Sequence, residues 1–356
     1  MEIRSWVVRA PREPMAPDRR VESAEGGNVI VEVAGCGVCH TDFGFLDEGV
    51  PTRHPFPLTL GHEISGRVVE AGAGAKEWIG RSVVVPAVIP CGECETCRSG
   101  HGSICPGQIF PGNDVHGGFA THVRVPSGGL CPVPDLDDLE ENPAAVELAD
   151  LAVVADAVTT PYQAIRRSGL REGDLAVFVG AGGVGGFGVQ IAAALGAVVV
   201  AIDISEERLG LAGAHGASLT LRPDVMPFTA LRDAVLSHAE RIPTWRHRIF
   251  ETSGTPAGQA TAFGLLGRGS YLGIVGYTPA KVEIRISNLM ALDARMEGNW
   301  GCATELYPDA LSLVLSGRIS LSSFIEKRPL ESINDTFQAI REHRISRRVI
   351  LVPEPR

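Results

Sequence analysis

Residues 175–185 read Leu175-Ala-Val-Phe-Val-Gly180-Ala-Gly182-Gly183-Val184-Gly185. The five apolar residues at the start predict a buried strand, and the stretch from Val189 to Leu195 continues as a helix. A second predicted strand, Val198–Ile202, ends at Asp203, eighteen positions after Gly185. A glycine pattern between a strand and a helix, followed by an acidic residue at the end of the next strand, is typical of a dinucleotide-binding unit.

Each glycine has its own task in such a unit. Gly180 makes the tight turn, Gly182 lets the backbone approach a pyrophosphate, and Gly185 lets the helix pack on the strand. The phosphates are expected at the positive end of the helix, beside Gly183 and Val184. The alternative is a glycine-rich turn with a structural role only.

Asp203 indicates which dinucleotide is bound. A carboxylate at this position accepts hydrogen bonds from the ribose hydroxyls and repels a 2′-phosphate, so it favours NAD over NADP. Arg208 is the counter-evidence, because an arginine in this neighbourhood can receive that phosphate. The carboxylate is closer to the strand end, and we therefore predict NAD.

Segments on either side of this unit predict an α/β fold. Strands are predicted at Val29–Ala34, Ile64–Glu70, Ser82–Val88, Arg248–Thr252, Ser270–Gly276 and Arg347–Val352, and helices at Ala144–Val158 and Tyr307–Leu315. The strands that follow Asp203 extend a doubly wound parallel sheet. The first third of the chain is predicted to be β-rich.

Two short motifs in that first third carry metal-binding chemistry. They are Gly37-Val-Cys39-His40-Thr41-Asp42 and Gly61-His62-Glu63. Together they supply a thiolate, an imidazole, a hydroxyl and two carboxylates, which suit a zinc ion that keeps one coordination position open. The alternative is that Cys39 is a small buried thiol and His62 a core histidine.

A second metal site is predicted from four cysteines, Cys91, Cys94, Cys97 and Cys105. Four thiolates at this spacing can surround one zinc ion tetrahedrally with no vacant position, which suits a structural site. A disulfide pair or an iron–sulfur cluster is the alternative.

Length and composition limit the possible number of domains and the possible classes of binding partner. The 356 residues favour two domains, and 44% apolar against 21% charged residues is a globular balance. A net charge of −10 without runs of Lys and Arg argues against nucleic acid as a partner. No apolar core of a signal peptide and no membrane-length segment is present in the sequence, so we expect a cytoplasmic protein with no membrane partner.

The motifs, in this order, resemble the zinc-dependent medium-chain alcohol dehydrogenases over nearly the whole chain. The resemblance implies a GroES-like β-rich catalytic domain at 1–150, with a structural zinc lobe at about 91–105. It further implies a Rossmann NAD-binding domain at 151–298 and a C-terminal return to the first domain at 299–356. Two zinc ions per chain are expected, with the catalytic zinc and the nicotinamide in the cleft between the domains.

The resemblance also assigns the catalytic zinc ligands. Cys39 and His62 look like two of them, and Glu63 like the carboxylate that sits beside the metal or alternates with a ligand. Asp156 stands where family members usually place a second cysteine, and a carboxylate there keeps the charge count of the site. Thr41 resembles the hydroxyl that receives the alcohol proton.

Further roles follow from the same resemblance. Asp42 resembles the carboxylate that orients His62. His40 and Arg348 match positions that approach the cofactor pyrophosphate, with Arg347 as the alternative to Arg348. Thr160 matches a position near the nicotinamide.

One position departs from the family pattern. Several relatives end their proton relay in a histidine five residues after the first zinc cysteine, and this chain has Gly44 there. The relay is expected to end in water or in another histidine, such as His54 or His116, although a loop role is the simpler interpretation of both.

The predicted reaction is NAD-linked oxidation of a secondary alcohol, and in particular a cyclic one, to a ketone. Within the family the chain resembles the bacterial 6-hydroxycyclohex-1-ene-1-carbonyl-CoA dehydrogenases of anaerobic aromatic degradation, which implies a CoA thioester substrate. The cationic side chains available for it in the first domain are Arg9, Arg12, Arg19, Arg20 and Arg53. The alternatives are a generic secondary-alcohol or polyol dehydrogenase and a non-catalytic NAD-binding protein. A homodimer or homotetramer is expected from the family.

Overall fold

The computed structural model describes residues 1–242, 244 and 246–354. Its strands are β1 (Glu2–Val7), β2 (Ala16–Val21), β3 (Asn28–Gly37), β4 (Glu63–Ala71), β5 (Ser82–Val85), β6 (His122–Pro126), β7 (Cys131–Pro132), β8 (Leu175–Val179), β9 (Val198–Ile202), β10 (Ala217–Leu221), β11 (His247–Glu251), β12 (Tyr271–Ile274), β13 (Arg295–Gly298), β14 (Ile325–Pro329) and β15 (Arg348–Val352).

The α-helices are α1 (His40–Leu46), α2 (Glu95–Arg98), α3 (Thr159–Ser168), α4 (Gly183–Ala194), α5 (Glu206–Ala214), α6 (Phe228–Ala239), α7 (Pro256–Gly264), α8 (Ser287–Leu292), α9 (Tyr307–Leu315) and α10 (Ile333–Arg341). Short 3-10 helices cover Lys76–Trp78, Gly102–Ile104, Asp150–Ala155, Thr304–Leu306 and Leu330–Ser332. Within the described ranges, no helix has the length and apolar character needed to span a bilayer.

The chain divides into two compact units. The first comprises Met1–Thr159, Gly301–Ser316 and Phe324–Arg356, and the second comprises Thr160–Trp300 and Gly317–Ser323. Residues 151–159 group with the first unit, where the Tyr307 hydroxyl donates a 2.6 Å hydrogen bond to the carbonyl of Ala155.

The sheet of the second unit has the strand order β10-β9-β8-β11-β12-β13, and all its pairings are parallel. Every residue of the central strand β8 is buried, as expected for a strand that is covered on both faces. Val177 of β8 lies opposite Val200 on one side and Ile249 on the other. Strands β9 and β10 extend the sheet on one side of β8, and β11, β12 and β13 extend it on the other side. The structure therefore confirms the predicted doubly wound parallel sheet.

The sheet of the first unit is mostly antiparallel, with the order β14-β15-β3-β4-β5-β7 and β6 also paired to β3. The register of β3 and β4 places Gly37, at the end of β3, opposite Glu63, at the start of β4. The last strand, β15, pairs antiparallel with β3, with Ile350 opposite Gly37. The C-terminal segment therefore completes the sheet of the first unit.

The predicted helix over Ala144–Val158 is wrong. Only the 3-10 helix Asp150–Ala155 forms there, and Ala145 has a φ of 51°, which no helix tolerates. The cause is local: the Asn142 side chain accepts a hydrogen bond from the N–H of Val146 and donates one to its carbonyl, both 3.0 Å. Such bonds from a side chain to the backbone compete with helix formation.

Candidate active site and cofactor site

Four potential metal ligands converge within the first unit. The ligand atoms of Cys39, His62, Glu63 and Asp156 all lie within 4.8 Å of one another. Asp156 Oδ2 is 3.8 Å from Cys39 Sγ and 3.6 Å from His62 Nε2. The first three residues are buried, whereas the Asp156 side chain is 16% exposed. The structure thus brings together the four residues named from the sequence as ligands.

Each ligand stands at the end of a regular element. Cys39 is the N-cap of α1, two residues after the end of β3. His62 precedes β4, and Glu63 is its first residue. Asp156 directly follows the 3-10 helix that ends at Ala155. At Gly37, a Cβ would lie 2.0 Å from Glu63 Oε2, so glycine leaves the room that this carboxylate needs.

Asp42 connects the two loops that carry Cys39 and His62. Its Oδ2 accepts a 2.8 Å hydrogen bond from the N–H of Cys39, and its Oδ1 accepts a 3.2 Å bond from the N–H of Gly61. The same Oδ1 lies 3.7 Å from His62 Nδ1, which is beyond hydrogen-bond distance. Asp42 therefore fixes the backbone on both sides of the site, a role that the sequence did not reveal; its action on the His62 ring stays a prediction.

A buried ion pair stands beside the cluster. Arg348 Nε donates a 3.0 Å hydrogen bond to Glu63 Oε2, and Arg348 Nη2 contacts Glu63 Oε1. Glu63 is fully buried, and burial raises the pKa of its carboxyl group while the charge of Arg348 opposes that rise. Arg348 contacts this carboxylate, whereas Arg347 is exposed. The cofactor contact proposed for either arginine stays a prediction.

The donor set fits a zinc ion. Burial by itself would lower the pKa of His62, but the charges of Asp42 and then Cys39 raise it well above its usual range. The imidazole is thus surrounded by groups that favour a positive charge. Thiolate, imidazole and carboxylate are the ligands that zinc prefers, and three of them leave a fourth position for a substrate.

The groups proposed for the proton relay are only partly in contact with this cluster. Thr41 Oγ1 lies 3.6 Å from Cys39 Sγ. His116 Nδ1 accepts a 3.2 Å hydrogen bond from the N–H of Thr59, and burial together with the charge of Arg20 lowers its pKa to about 4. The rings of His54 and His116 lie 4.8 Å apart. The end of the relay stays a prediction.

The four cysteines of the predicted lobe form a second cluster, in the order Cys91, Cys94, Cys97 and Cys105. Four of the six Sγ–Sγ distances are 3.4 to 3.9 Å, and all six are within 4.8 Å. Sulfurs around one zinc ion at its usual bond length would be about 3.8 Å apart. All four thiols are free, so the disulfide alternative is wrong. The N–H of Cys97 lowers the pKa of Cys94 to about 6, which favours the thiolate there, whereas burial and then the Cys94 side chain raise the pKa of Cys97 to about 12.

Replacing Cys97 by Ser should remove one zinc ion per chain and loosen residues 91–105, because this lobe contains only α2 and a 3-10 helix. Activity should fall far less than it does on loss of Cys39. Zinc content by mass spectrometry and hydrogen exchange of the lobe would check this. Unchanged zinc content would contradict the assignment.

The glycine turn lies in the second unit between β8 and α4. Gly180 has a φ of 101°, and a Cβ at Gly185 would lie 1.8 Å from the carbonyl oxygen of Gly180. At Gly182 the nearest atom to a Cβ is 3.6 Å away, so its outer side is open. Gly182 is the N-cap, and Gly183 and Val184 begin α4. This arrangement fits a bound pyrophosphate on the N–H groups of the helix.

Asp203 follows β9 beside this turn. Its Oδ2 accepts a 2.7 Å hydrogen bond from the N–H of Ala181, and its Oδ1 a 2.9 Å bond from the N–H of Ser205. Arg208 Nη1 lies 4.0 Å from Asp203 Oδ2. The carboxylate that favours NAD and the arginine that could favour NADP therefore lie side by side, next to the glycine turn.

His40 and Thr160, the two other residues predicted to contact the cofactor, lie in helices α1 and α3. His40 is the exposed first residue of α1, with its ring 5.7 Å from that of Phe43. Thr160 lies in α3, and its carbonyl accepts a 3.2 Å hydrogen bond from the side chain of Asn299. Their contacts with a cofactor stay predictions.

Comparison with known proteins gives the family. The alcohol dehydrogenase GroES-like domain matches residues 25–135, and the zinc-binding dehydrogenase family matches residues 183–316. An alcohol dehydrogenase of Geobacillus stearothermophilus is 32% identical over 334 residues, which are 92% of this chain and 92% of the relative. The chain belongs to the zinc-type medium-chain alcohol dehydrogenase family.

Other relatives agree with this assignment. The solved structure of an alcohol dehydrogenase from Thermotoga maritima matches this dehydrogenase with a TM-score of 0.85 and 26% identity, over 99% of this chain and 100% of that chain. Galactitol 1-phosphate 5-dehydrogenase of Escherichia coli K12 is 26% identical over 336 residues, 91% of this chain and 92% of the relative. The predicted GroES-like domain and the predicted enzyme class are confirmed.

Proposed function

We propose that this dehydrogenase oxidises a secondary, ring-bearing alcohol to the ketone and transfers the hydride to NAD. The observation that carries the proposal is the cluster of Cys39, His62 and Asp156, whose charges and spacing suit a zinc ion with an open position. A protein that only binds NAD has no use for such a site, which speaks against the non-catalytic alternative.

The reaction would convert one alcohol and one NAD⁺ into one ketone, one NADH and one proton. Cys39, His62 and Asp156 would hold a zinc ion, which when bound would supply Lewis-acid stabilisation of negative charge on the alcohol oxygen. The Cys39 and Asp156 anions would balance the charge of a bound zinc ion, so that loss of the alcohol proton leaves a net charge of only −1 at the site. Thr41 would accept that proton while it passes its own towards solvent, and the 3.6 Å distance from its Oγ1 to Cys39 Sγ supports this role.

Replacing Cys39 by Ser tests the metal site of this proposal. Turnover should be lost while NADH binding, measured by fluorescence titration, stays the same, because the glycine turn lies in the other unit. Cys131→Ser is the matched control, since this buried thiol belongs to neither cluster. Activity that survived in Cys39→Ser after its zinc had been lost would refute the proposal.

Replacing Asp203 by Asn tests the choice of cofactor. The amide keeps an acceptor for the N–H of Ala181 but removes the charge that repels a 2′-phosphate, and Arg208 remains nearby. We expect kcat/KM to fall for NAD and to rise for NADP, with the ratio changing by about tenfold or more, the equivalent of about 1.4 kcal/mol. An unchanged ratio would show that Asp203 does not select the cofactor.

The finer substrate proposal is a cyclic alcohol carried on a CoA thioester. Four of the five arginines that could contact CoA phosphates already have partners within the chain. Arg12 binds the Asp47 carbonyl, Arg19 binds Glu2, Arg20 binds Glu22, and Arg53 binds Asp114. The Arg19 and Arg53 pairs are exposed and break at little cost, so these arginines stay available to CoA phosphates, and a comparison of turnover decides between the thioester and a smaller alcohol.

The second candidate is a polyol dehydrogenase, favoured by the similarity to galactitol 1-phosphate 5-dehydrogenase. Turnover of a cyclohexanol, of its CoA-ester counterpart and of a sugar alcohol, each followed by NADH absorbance, separates the three. The highest kcat/KM identifies the substrate class, and no turnover of any alcohol would refute the activity.

We also propose that the enzyme is a homodimer or homotetramer. The edge strand β13 ends the sheet of the second unit, and an unpaired edge can pair with a second copy. Light scattering of the purified enzyme would give the mass, and a monomer would refute this part.

A further inference from the structure

A cavity of about 450 Å³ opens in the second unit at the amino ends of its parallel strands. Tyr271 and Arg295, the first residues of β12 and β13, line it together with Arg248 near the start of β11. The end of α3 closes another side through Arg167. None of these residues belongs to the glycine turn or to a zinc cluster.

Arginines dominate the wall of this cavity. It is lined by Arg167, Arg171, Arg246, Arg248 and Arg295. Among the described residues, fewer carboxylates than arginines lie at this cavity. Asp174 accepts a 3.0 Å hydrogen bond from Arg246 Nε, and Asp293 lines the cavity. Glu297 Oε2 is 3.9 Å from Arg295 Nε. In a chain with a net charge of −10, this is a local excess of positive charge.

Among the arginines of this cavity, Arg248 gives the strongest indication that a ligand binds there. The residue is only 6% exposed, and its Nε has no hydrogen-bond partner among the described residues. Its Nη1 makes one long contact, 3.4 Å to the carbonyl of His247. Burial, and then the charge of Arg246, lower the pKa of this guanidinium. A buried cation among cations is costly unless an anion accompanies it.

Ser270 adds a neutral donor to the same wall. Its Oγ accepts a 2.9 Å hydrogen bond from the N–H of Gly267, so its own O–H can donate to a ligand. Several guanidinium groups together with a hydroxyl are the usual surroundings of a phosphate group.

The cavity is separate from the dinucleotide site. Gly180 follows the carboxyl end of β8, whereas the cavity lies at the amino ends of the same parallel strands. A strand of five residues separates the two edges by about 15 Å. The dinucleotide pyrophosphate therefore does not account for the arginines.

We propose that this cavity binds a small molecule that carries two or more phosphate groups. The volume lies within the range of small-molecule sites, about 300 to 1,000 Å³. The excess of arginines over carboxylates calls for more than one negative charge. Arg248 contacts the anion from the buried end, and Arg171 and Arg295 contact it from the exposed rim.

The test is calorimetric titration of the zinc-loaded enzyme with tripolyphosphate, pyrophosphate and inorganic phosphate, at low salt, with and without saturating NADH. Tripolyphosphate should bind tightest, and NADH should not displace it. Arg248→Gln should weaken its binding by about tenfold or more, which corresponds to the loss of one charged hydrogen bond. Arg171→Gln, on the exposed rim, should weaken it as well.

Arg166→Gln is the matched control, because Arg166 precedes Arg167 in α3, is exposed and does not line the cavity. It removes the same charge and should leave the affinity unchanged. Equal affinity in the wild type, Arg248→Gln and Arg171→Gln would overturn the proposal, as would displacement by NADH or an equal loss in Arg166→Gln. If Arg248→Gln does not fold by circular dichroism, the exposed Arg171→Gln decides.

Discussion

Replacing Asp156 by Asn should remove one zinc ion per chain and lower kcat/KM by about a thousandfold or more, the equivalent of about 4 kcal/mol. Asp156 Oδ2 lies 3.6 Å from His62 Nε2 and 3.8 Å from Cys39 Sγ, so one metal ion can bind all three side chains. The amide has nearly the same shape as the carboxylate but carries no charge. Without that charge the site holds a divalent cation poorly and no longer balances it. Zinc analysis and steady-state kinetics give the two readouts.

Two further variants separate the loss of a zinc ligand from a general effect of the substitution. Asp156→Cys restores an anionic ligand, the one that relatives usually carry, and should keep zinc and measurable activity. Asp150→Asn is the matched control, because Asp150 lies in the adjoining 3-10 helix and contacts Lys327 at 3.1 Å, away from the cluster. Full zinc content and wild-type kinetics in Asp156→Asn would show that Asp156 is not a ligand.

The dinucleotide unit was predictable because its information is local. The order of strand, glycine turn, helix and strand lies within residues 175–203, and the chemistry of each glycine follows from the turn itself. Gly180 has a positive φ and Gly185 has no room for a Cβ, as the pattern requires. Local steric rules of this kind act over a few residues, and a sequence displays them directly.

The supports of the metal cluster were not predictable in this way. Asp42 bonds the N–H of Gly61, and Arg348 bonds Glu63 across 285 positions of sequence. These pairings depend on the register of β3 with β4 and β15, which no local pattern reveals. The same limit explains the wrong helix at 144–158, where hydrogen bonds from a single side chain, Asn142, hold the backbone in a non-helical conformation.

The Arg348–Glu63 pair explains how a carboxylate can be kept buried beside two anionic ligands. Because Cys39 and Asp156 would balance a bound zinc ion, Glu63 remains as a further negative charge, and it has no access to solvent. Arg348 supplies the compensating charge from β15. The C-terminal return of the chain to the first sheet therefore contributes directly to the site, and not only to the fold.

Replacing Arg348 by Met should destabilise the first unit by about 3 to 5 kcal/mol, because it leaves the buried Glu63 carboxylate without its partner. For a unit of this size the melting temperature should fall by about 10 °C. Differential scanning calorimetry of variant and wild type at the same zinc loading would measure the shift. Arg347→Met is the matched control, since the neighbouring arginine is exposed and should change the melting temperature little.

The double variant Glu63→Gln/Arg348→Met distinguishes loss of the pair from loss of packing. If the unpaired charge causes the damage, removing it should recover most of the melting temperature that Arg348→Met loses. If the long side chain of Arg348 acts mainly by filling space, the double variant should be no more stable than the single one. No loss of stability in Arg348→Met itself would mean that Glu63 finds another partner, and the charge compensation assigned to β15 would then be wrong.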